Sequence, residues 1–174
     1  MANELLKLDI GKERHRNKAA HNQFVLQTVQ PGLAGLMDGS VSTLAPIFAV
    51  AFATHKPHYA FLTGLAAAIG AGISMAFAEA LSDDGTLTGR GHPLRRGVII
   101  GAMTFLGGIF HTLPFLISNF HAAIIAAFIV VGLELIAISF IRYRFFNTPL
   151  WRSLIMVLLG GGIVFGAGIL IGAS

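Results

Sequence analysis

Five stretches of this chain, residues 33–53, 59–81, 97–117, 122–141 and 150–172, are apolar over about the 20 residues that a helix needs to cross a bilayer. That feature limits the fold more than any other. A spanning segment must satisfy its backbone hydrogen bonds internally, so five such segments predict an all-α membrane protein. Composition agrees. Only 11% of the residues are charged, against about 25% in a typical soluble domain. The first 30 residues are polar and basic, with no short apolar core and no small-residue cleavage site, so no signal peptide is expected there. No cysteine is present, which excludes disulfides, thiolate metal sites and cysteine nucleophiles.

Lysine and arginine set the expected orientation. Lys7, Lys12, Arg14, Arg16 and Lys18 precede the first span, Arg90, Arg95 and Arg96 lie between the second and third, and Arg142, Arg144 and Arg152 flank the last connection. These are eleven of the twelve basic residues, and only Lys56 lies on the other side. The positive-inside rule then places the N-terminus in the cytosol and the C-terminus outside. The basic charge is topogenic, and nucleic acid is not an expected partner. Residues 1–30 mix Leu5, Leu6, Ile10, Phe24, Val25 and Val29 with basic residues, predicting an amphipathic helix on the cytosolic leaflet. Gly11 is expected to break or bend it, and Pro31-Gly32 to end it and turn the chain into the membrane. Residues 31–174 then form the five-helix domain, with a short cytosolic loop at 82–96. The glycine pairs Gly35/Gly39, Gly97/Gly101, Gly162/Gly166 and Gly168/Gly172 let helices approach closely, and the fifth helix is glycine-rich enough for a subunit interface.

Four titratable residues are expected to be buried inside the spans: Asp38, Glu79, His111 and Glu134. A charge at mid-helix costs about 2.5–3.5 kcal/mol on insertion scales, so such residues face a partner, a cavity or an ion. At 1.5 Å per residue, Asp38 lies about 8 Å from the cytosolic end of its span, Met103 about 9 Å and Glu134 about 10 Å. Glu79 is near that end, with Met75 one turn deeper. Four helices thus send a carboxylate or a thioether into one layer, with Glu134 either joining the others or relaying protons. His111 sits deeper, about 20 Å in, as a proton-relay or exit candidate; the alternative is a hydrogen bond to backbone loosened near Pro114. Carboxylates with thioethers suit a borderline divalent cation such as Fe²⁺. Pro46 frees the carbonyl near Ser42, and Ser42 and Thr43 add hydroxyls, so the first span offers a polar pathway. Asp83, Asp84 and His92 are weak candidates for metal capture in the loop. No enzymatic motif is present, and no enzyme activity is expected.

Asp38-Gly39 with Ser42 and Thr43 behind resembles the vacuolar iron transporter family, and GAGISMAFAE at 70–79 is similar to that family's second-helix pattern. SDDGTLTGRGHPLRRG at 82–97 resembles its bacterial branch, in which the membrane domain follows a ferritin-like (erythrin) domain. The resemblance implies proton-coupled export of Fe²⁺, and often Mn²⁺, from the cytosol across the bacterial inner membrane. It also implies a homodimer with a pathway near the dimer axis, and Asp38 and Met75 as pathway residues with Glu79 beside them. Metal is cargo in this reading, and no permanent cofactor is expected. Plant and fungal members carry a soluble domain where this chain has only residues 82–96, and the bacterial branch has a ferritin-like domain where only about 30 residues stand before the first span here. A separate cytosolic ferritin-like partner is therefore an expectation. The competing reading is a non-transporting membrane anchor that docks such a partner.

Overall fold

The computed structural model describes residues 2–82, 84–85, 89–146 and 148–173, with side chains from residue 12 onward. Among these residues there are no strands, and five helices are long and apolar enough to span a membrane. The elements are α1 (Ala2–Phe24), a π turn (Val25–Val29), α2 (Gln30–Ser42), α3 (Leu44–Thr54), α4 (Pro57–Ala80), α5 (Pro93–Phe110), a 3₁₀ turn (Leu113–Leu116), α6 (Phe120–Phe146) and α7 (Leu150–Gly172).

Three boundaries differ from the sequence reading, each for a local reason. The helix is not broken at Gly11, nor does the chain turn at Pro31-Gly32. Pro31 lacks an N–H, and its ring would press on the carbonyl four residues back. The π turn absorbs this: the Gln30 N–H bonds to Val25 O, five residues back, and widens the helix just before the proline. The first span is therefore continuous with α1 as one helical run, Lys12–Thr54. Next, α5 stops at Phe110 instead of reaching residue 117, because Pro114 cannot donate to the helix. The chain turns through His111 and Thr112 into the 3₁₀ turn. Finally, α6 continues past Ile141 to Phe146, taking Arg142 and Arg144 into the helix.

The helices form two packs, which meet where α3 lies against α4. In the first, α2 and α4 both pack on α5. Small residues allow the contact: Gly72 lies against Gly101 and Phe105, Gly101 against Ala76, and Gly39 against the Thr104 carbonyl. In the second, α3 packs beside α7, and α7 beside α6. Gly168 and Gly172 meet Ala45 and Ala49 in register, so α3 and α7 run parallel. Phe48 of α3 holds this pack at its centre, contacting the rings of Phe52, Phe115, Phe128 and Phe165. The first span passes from one pack to the other at Thr43, between α2 and α3. The outward surfaces carry Ile73, Phe77, Leu133, Ile136, Ile163 and Leu170, all exposed. Such apolar surface belongs in lipid, and the chain is a multi-pass membrane protein.

Gly39 gives a direct test of this packing. A Cβ there would collide with the backbone carbonyl of Thr104. Gly39→Ala should lower stability by about 3 kcal/mol, the upper end for overpacking, because backbone cannot rotate away. The gain of about 1 kcal/mol in helix propensity offsets only part of this. Gly132 has nothing within 4 Å of its built Cβ. Gly132→Ala should therefore unfold at or above the wild-type temperature, as read by thermal denaturation in detergent.

Candidate functional site

The break at Thr43 sets the centre of the site. Pro46 cannot donate to the Ser42 carbonyl, which weakens the helix at this joint. Thr43 sits between α2 and α3 with its hydroxyl 2.8 Å from Gly39 O. On its other side, Thr43 Oγ1 is 2.7 Å from His111 Nε2. His111 Nδ1 is in turn 2.9 Å from Glu134 Oε2. Thr43 and His111 are fully buried, and Glu134 is 8% exposed. The three residues form one chain linking the α2–α3 joint, the end of α5 and the middle of α6.

Apolar layers close this chain on both sides. Toward the α1 end lie Leu33, Leu36, Leu135, Ile138 and Val157. Toward the opposite end lie Leu44, Ile47, Phe48, Ala51 and Phe115. Glu134 also borders an apolar groove of about 620 Å³ between the α5 end and α6, lined by Phe110, Leu113, Val130 and Leu133. Its Oε1 is buried without a hydrogen-bond partner.

The depth expected for Glu134 needs correction. The sequence reading put it near Asp38 and above His111. Glu134 and His111 are in contact and so share one level, with Glu134 twelve residues, about 18 Å, from the end of α6. The imidazole binds two side chains, and not backbone near Pro114.

Glu79 occupies a different level, at the last turn of α4. Its Oε1 accepts from Arg96 Nε at 2.7 Å and pairs with Arg90 Nη2 at 3.2 Å. Arg96 is fully buried and also donates from Nη1 to Gly91 O at 3.0 Å. Gly91 has φ 75° and lies on Gln27 of the π turn, where a Cβ would fall 2.6 Å from Gln27 Cδ. The arginine thus ties the α4–α5 loop to the bundle. The sequence reading treated Arg96 only as a topogenic charge. The one signal in the sequence was its partner Glu79, a carboxylate inside a span that needs a counter-charge.

Asp38 is half-buried on α2 and makes no hydrogen bond or ion pair with any described residue. It lies five residues from Thr43, about 7.5 Å along the helix. Met75 is half-buried on α4. Met103 and Met37 pack against the Leu33 cluster. Ser42 is exposed and Pro46 half-buried at the joint. His92 and Asp84 are exposed, and Asp83 lies outside the described residues. Among the described residues no three His, Asp or Glu side chains converge as a metal site. The expected single layer is therefore split: Glu79 is held by arginines at the helix end, Glu134 by His111 at mid-depth, and Asp38 stands alone between them.

The family model described as VIT family matches residues 83–173, which include most of the α4–α5 loop and all of α5, α6 and α7. The chain belongs to the VIT family. Membrane metal-ion transport is the general function that this membership carries. The match covers His111, Glu134 and Met103, whereas Asp38, Met75 and Glu79 precede it. No curated protein and no solved structure matches the chain. In a VIT-family protein, an uncompensated carboxylate within a span is an oxygen donor open to a cation, while Glu79 already has its counter-ions.

Proposed function

We propose that this VIT-family protein exports Fe²⁺, and with it Mn²⁺, from the bacterial cytosol by proton antiport. It acts as a homodimer in the inner membrane, with its N-terminus cytosolic. The observation that carries this reading is Asp38, a carboxylate in an apolar span without a partner. Keeping it there unpaired is costly, and a divalent cation would offset that cost when bound. Met75 adds a soft contact that suits Fe²⁺ better than Mg²⁺. Metal and proton compete for the Asp38 carboxylate, so binding one expels the other. That competition is the thermodynamic basis of antiport.

The test is metal binding to the purified protein in weak buffer, with proton release followed alongside. Wild type should release protons on adding Mn²⁺ or, without oxygen, Fe²⁺. Asp38→Asn should bind neither metal and release none. Unchanged binding by that variant would remove Asp38 from the pathway. Met75→Leu should weaken Fe²⁺ more than Mn²⁺ and leave thermal unfolding where it was. Equal Fe²⁺ binding would return Met75 to a packing role.

A further inference from the structure

The polar chain at the α2–α3 joint has a defined proton count. Thr43 Oγ1 donates its one hydrogen to Gly39 O at 2.8 Å. Toward His111 it can then only accept, so Nε2 carries a hydrogen and donates across the 2.7 Å contact. Nδ1 faces Glu134 Oε2 at 2.9 Å. A hydrogen bond of that length needs one proton between the two atoms. The proton sits on nitrogen as imidazolium with carboxylate, or on oxygen as neutral imidazole with carboxylic acid. Either way the pair is neutral overall. If the proton leaves, an imidazole lone pair faces a carboxylate at 2.9 Å, both poor in solvation, and the contact becomes repulsive.

The position of this pair gives the proton a mechanical role. His111 ends α5, in the first helical pack, and Glu134 lies on α6, in the second. α5 packs mainly on α2 and α4, and α6 on α7 and the 3₁₀ turn, with little direct packing between α5 and α6; the packs also meet where α3 lies on α4, so the pair closes the seam on the α5–α6 side. Thr43 is the joint where the first span crosses from pack to pack. We propose that the Thr43–His111–Glu134 chain is a proton-binding site that clasps the two packs together. With the proton bound, the packs are held closed at the Thr43 joint. Proton loss releases α6 from the α5 end and frees the joint to bend at Pro46. Asp38 rides on α2, next to Gly39 and five residues from Thr43, so its access changes when the joint bends. This deepens the antiport reading by supplying a second proton site, separate from the carboxylate where metal competes.

The other titratable or charged groups of the surrounding elements lie away from this chain. Asp38 is on α2, and His55 closes α3. His58, Tyr59 and Glu79 lie toward the ends of α4, and Arg95 and Arg96 at the start of α5. On α6, His121 and Arg142, Tyr143 and Arg144 are at the ends, and Arg152 is at the start of α7. None of them is within hydrogen-bonding reach of His111 or Glu134.

The test uses the full chain, metal-free, in lipid nanodiscs and in an Asp38→Asn background, so that it does not depend on transport. Infrared difference spectra are recorded across a pH titration. One step with both carboxyl and imidazole bands is expected, absent from Glu134→Gln and from His111→Gln. Thr43→Val should move its midpoint by about one pH unit or more, a tenfold change in proton affinity, and Thr43→Ser should restore it. The chain has no cysteine, so Leu106→Cys on α5 and Ile129→Cys on α6 carry spin labels cleanly, with labelled protein diluted into unlabelled. The distance between them should lengthen as pH rises through the step. Glu134→Gln, whose amide can donate permanently to Nδ1, should keep it short throughout. A step that persists in Glu134→Gln, or a distance indifferent to pH, would overturn the clasp and leave Asp38 as a metal site intact. Loss of metal binding or flux in the wild type would instead overturn the antiport reading and leave this titration standing.

Discussion

Asp38→Asn is expected to reduce Fe²⁺ flux to background while the protein unfolds at the wild-type temperature or slightly above it. The sign of the stability effect separates a transport role from a structural one. Asp38 has no hydrogen-bond or ion-pair partner among the described residues, so the neutral amide breaks nothing. It also removes a charge that is unfavourable at that depth. A structural aspartate would show the reverse, with a clear loss of stability on removing its charge. Thermal unfolding and flux measured on the same preparation distinguish the two.

The second large effect concerns Glu79. Glu79→Ala should lower stability by about 3 kcal/mol, the low end of the cost of breaking a buried ion pair, because it removes the carboxylate that accepts from the wholly inaccessible Arg96 and pairs with Arg90. Replacing both residues, as Glu79→Ala with Arg96→Met, should recover much of the loss, since an apolar pair replaces an ionic one. A carboxylate kept only as a metal ligand would give unchanged unfolding in the single variant. The measurement is thermal or denaturant unfolding in detergent, without metal.

The two carboxylates show what was legible in the sequence. The five spans were, because a bilayer demands a length and polarity that few other structures need. That His111, Glu134 and Thr43 are polar groups inside apolar spans, where they are costly, was also legible. Their joining was not. Depth counted from the ends of apolar runs assumes that helices stop where apolarity stops, and α6 continues through Arg142 and Arg144 to Phe146. Counting from separate span ends had put Glu134 and His111 about 10 Å apart in depth, whereas their contact puts them at one level. Arg96 was misjudged for a related reason. Charge counts treat every arginine near a span as solvated, and a buried one shows itself only through its partner, Glu79, seventeen residues earlier.

The π turn and the two packs were also beyond pattern reading. Pro31-Gly32 carries the same local signal whether the helix ends or widens. The outcome was decided by the packing of Pro31, Gly32 and Leu33, all buried in the first turn of α2. The division into packs follows from where glycines meet: Gly39 and Gly101 bring α2, α4 and α5 together, while Gly168 and Gly172 dock α7 on α3. Gly162 and Gly166 have the same spacing and meet nothing within 4 Å. Spacing alone does not tell a contact inside the bundle from a surface left open.

The most direct test of the central claim is Fe²⁺ movement into sealed, oxygen-free proteoliposomes, read by quenching of a trapped metal-sensitive dye. Wild type is compared with and without an acid-inside proton gradient. Antiport predicts that the gradient accelerates Fe²⁺ entry and that the lumen loses acid as metal arrives. Folded, correctly oriented wild type that moves no metal, or moves it at a rate indifferent to the gradient, would contradict the account.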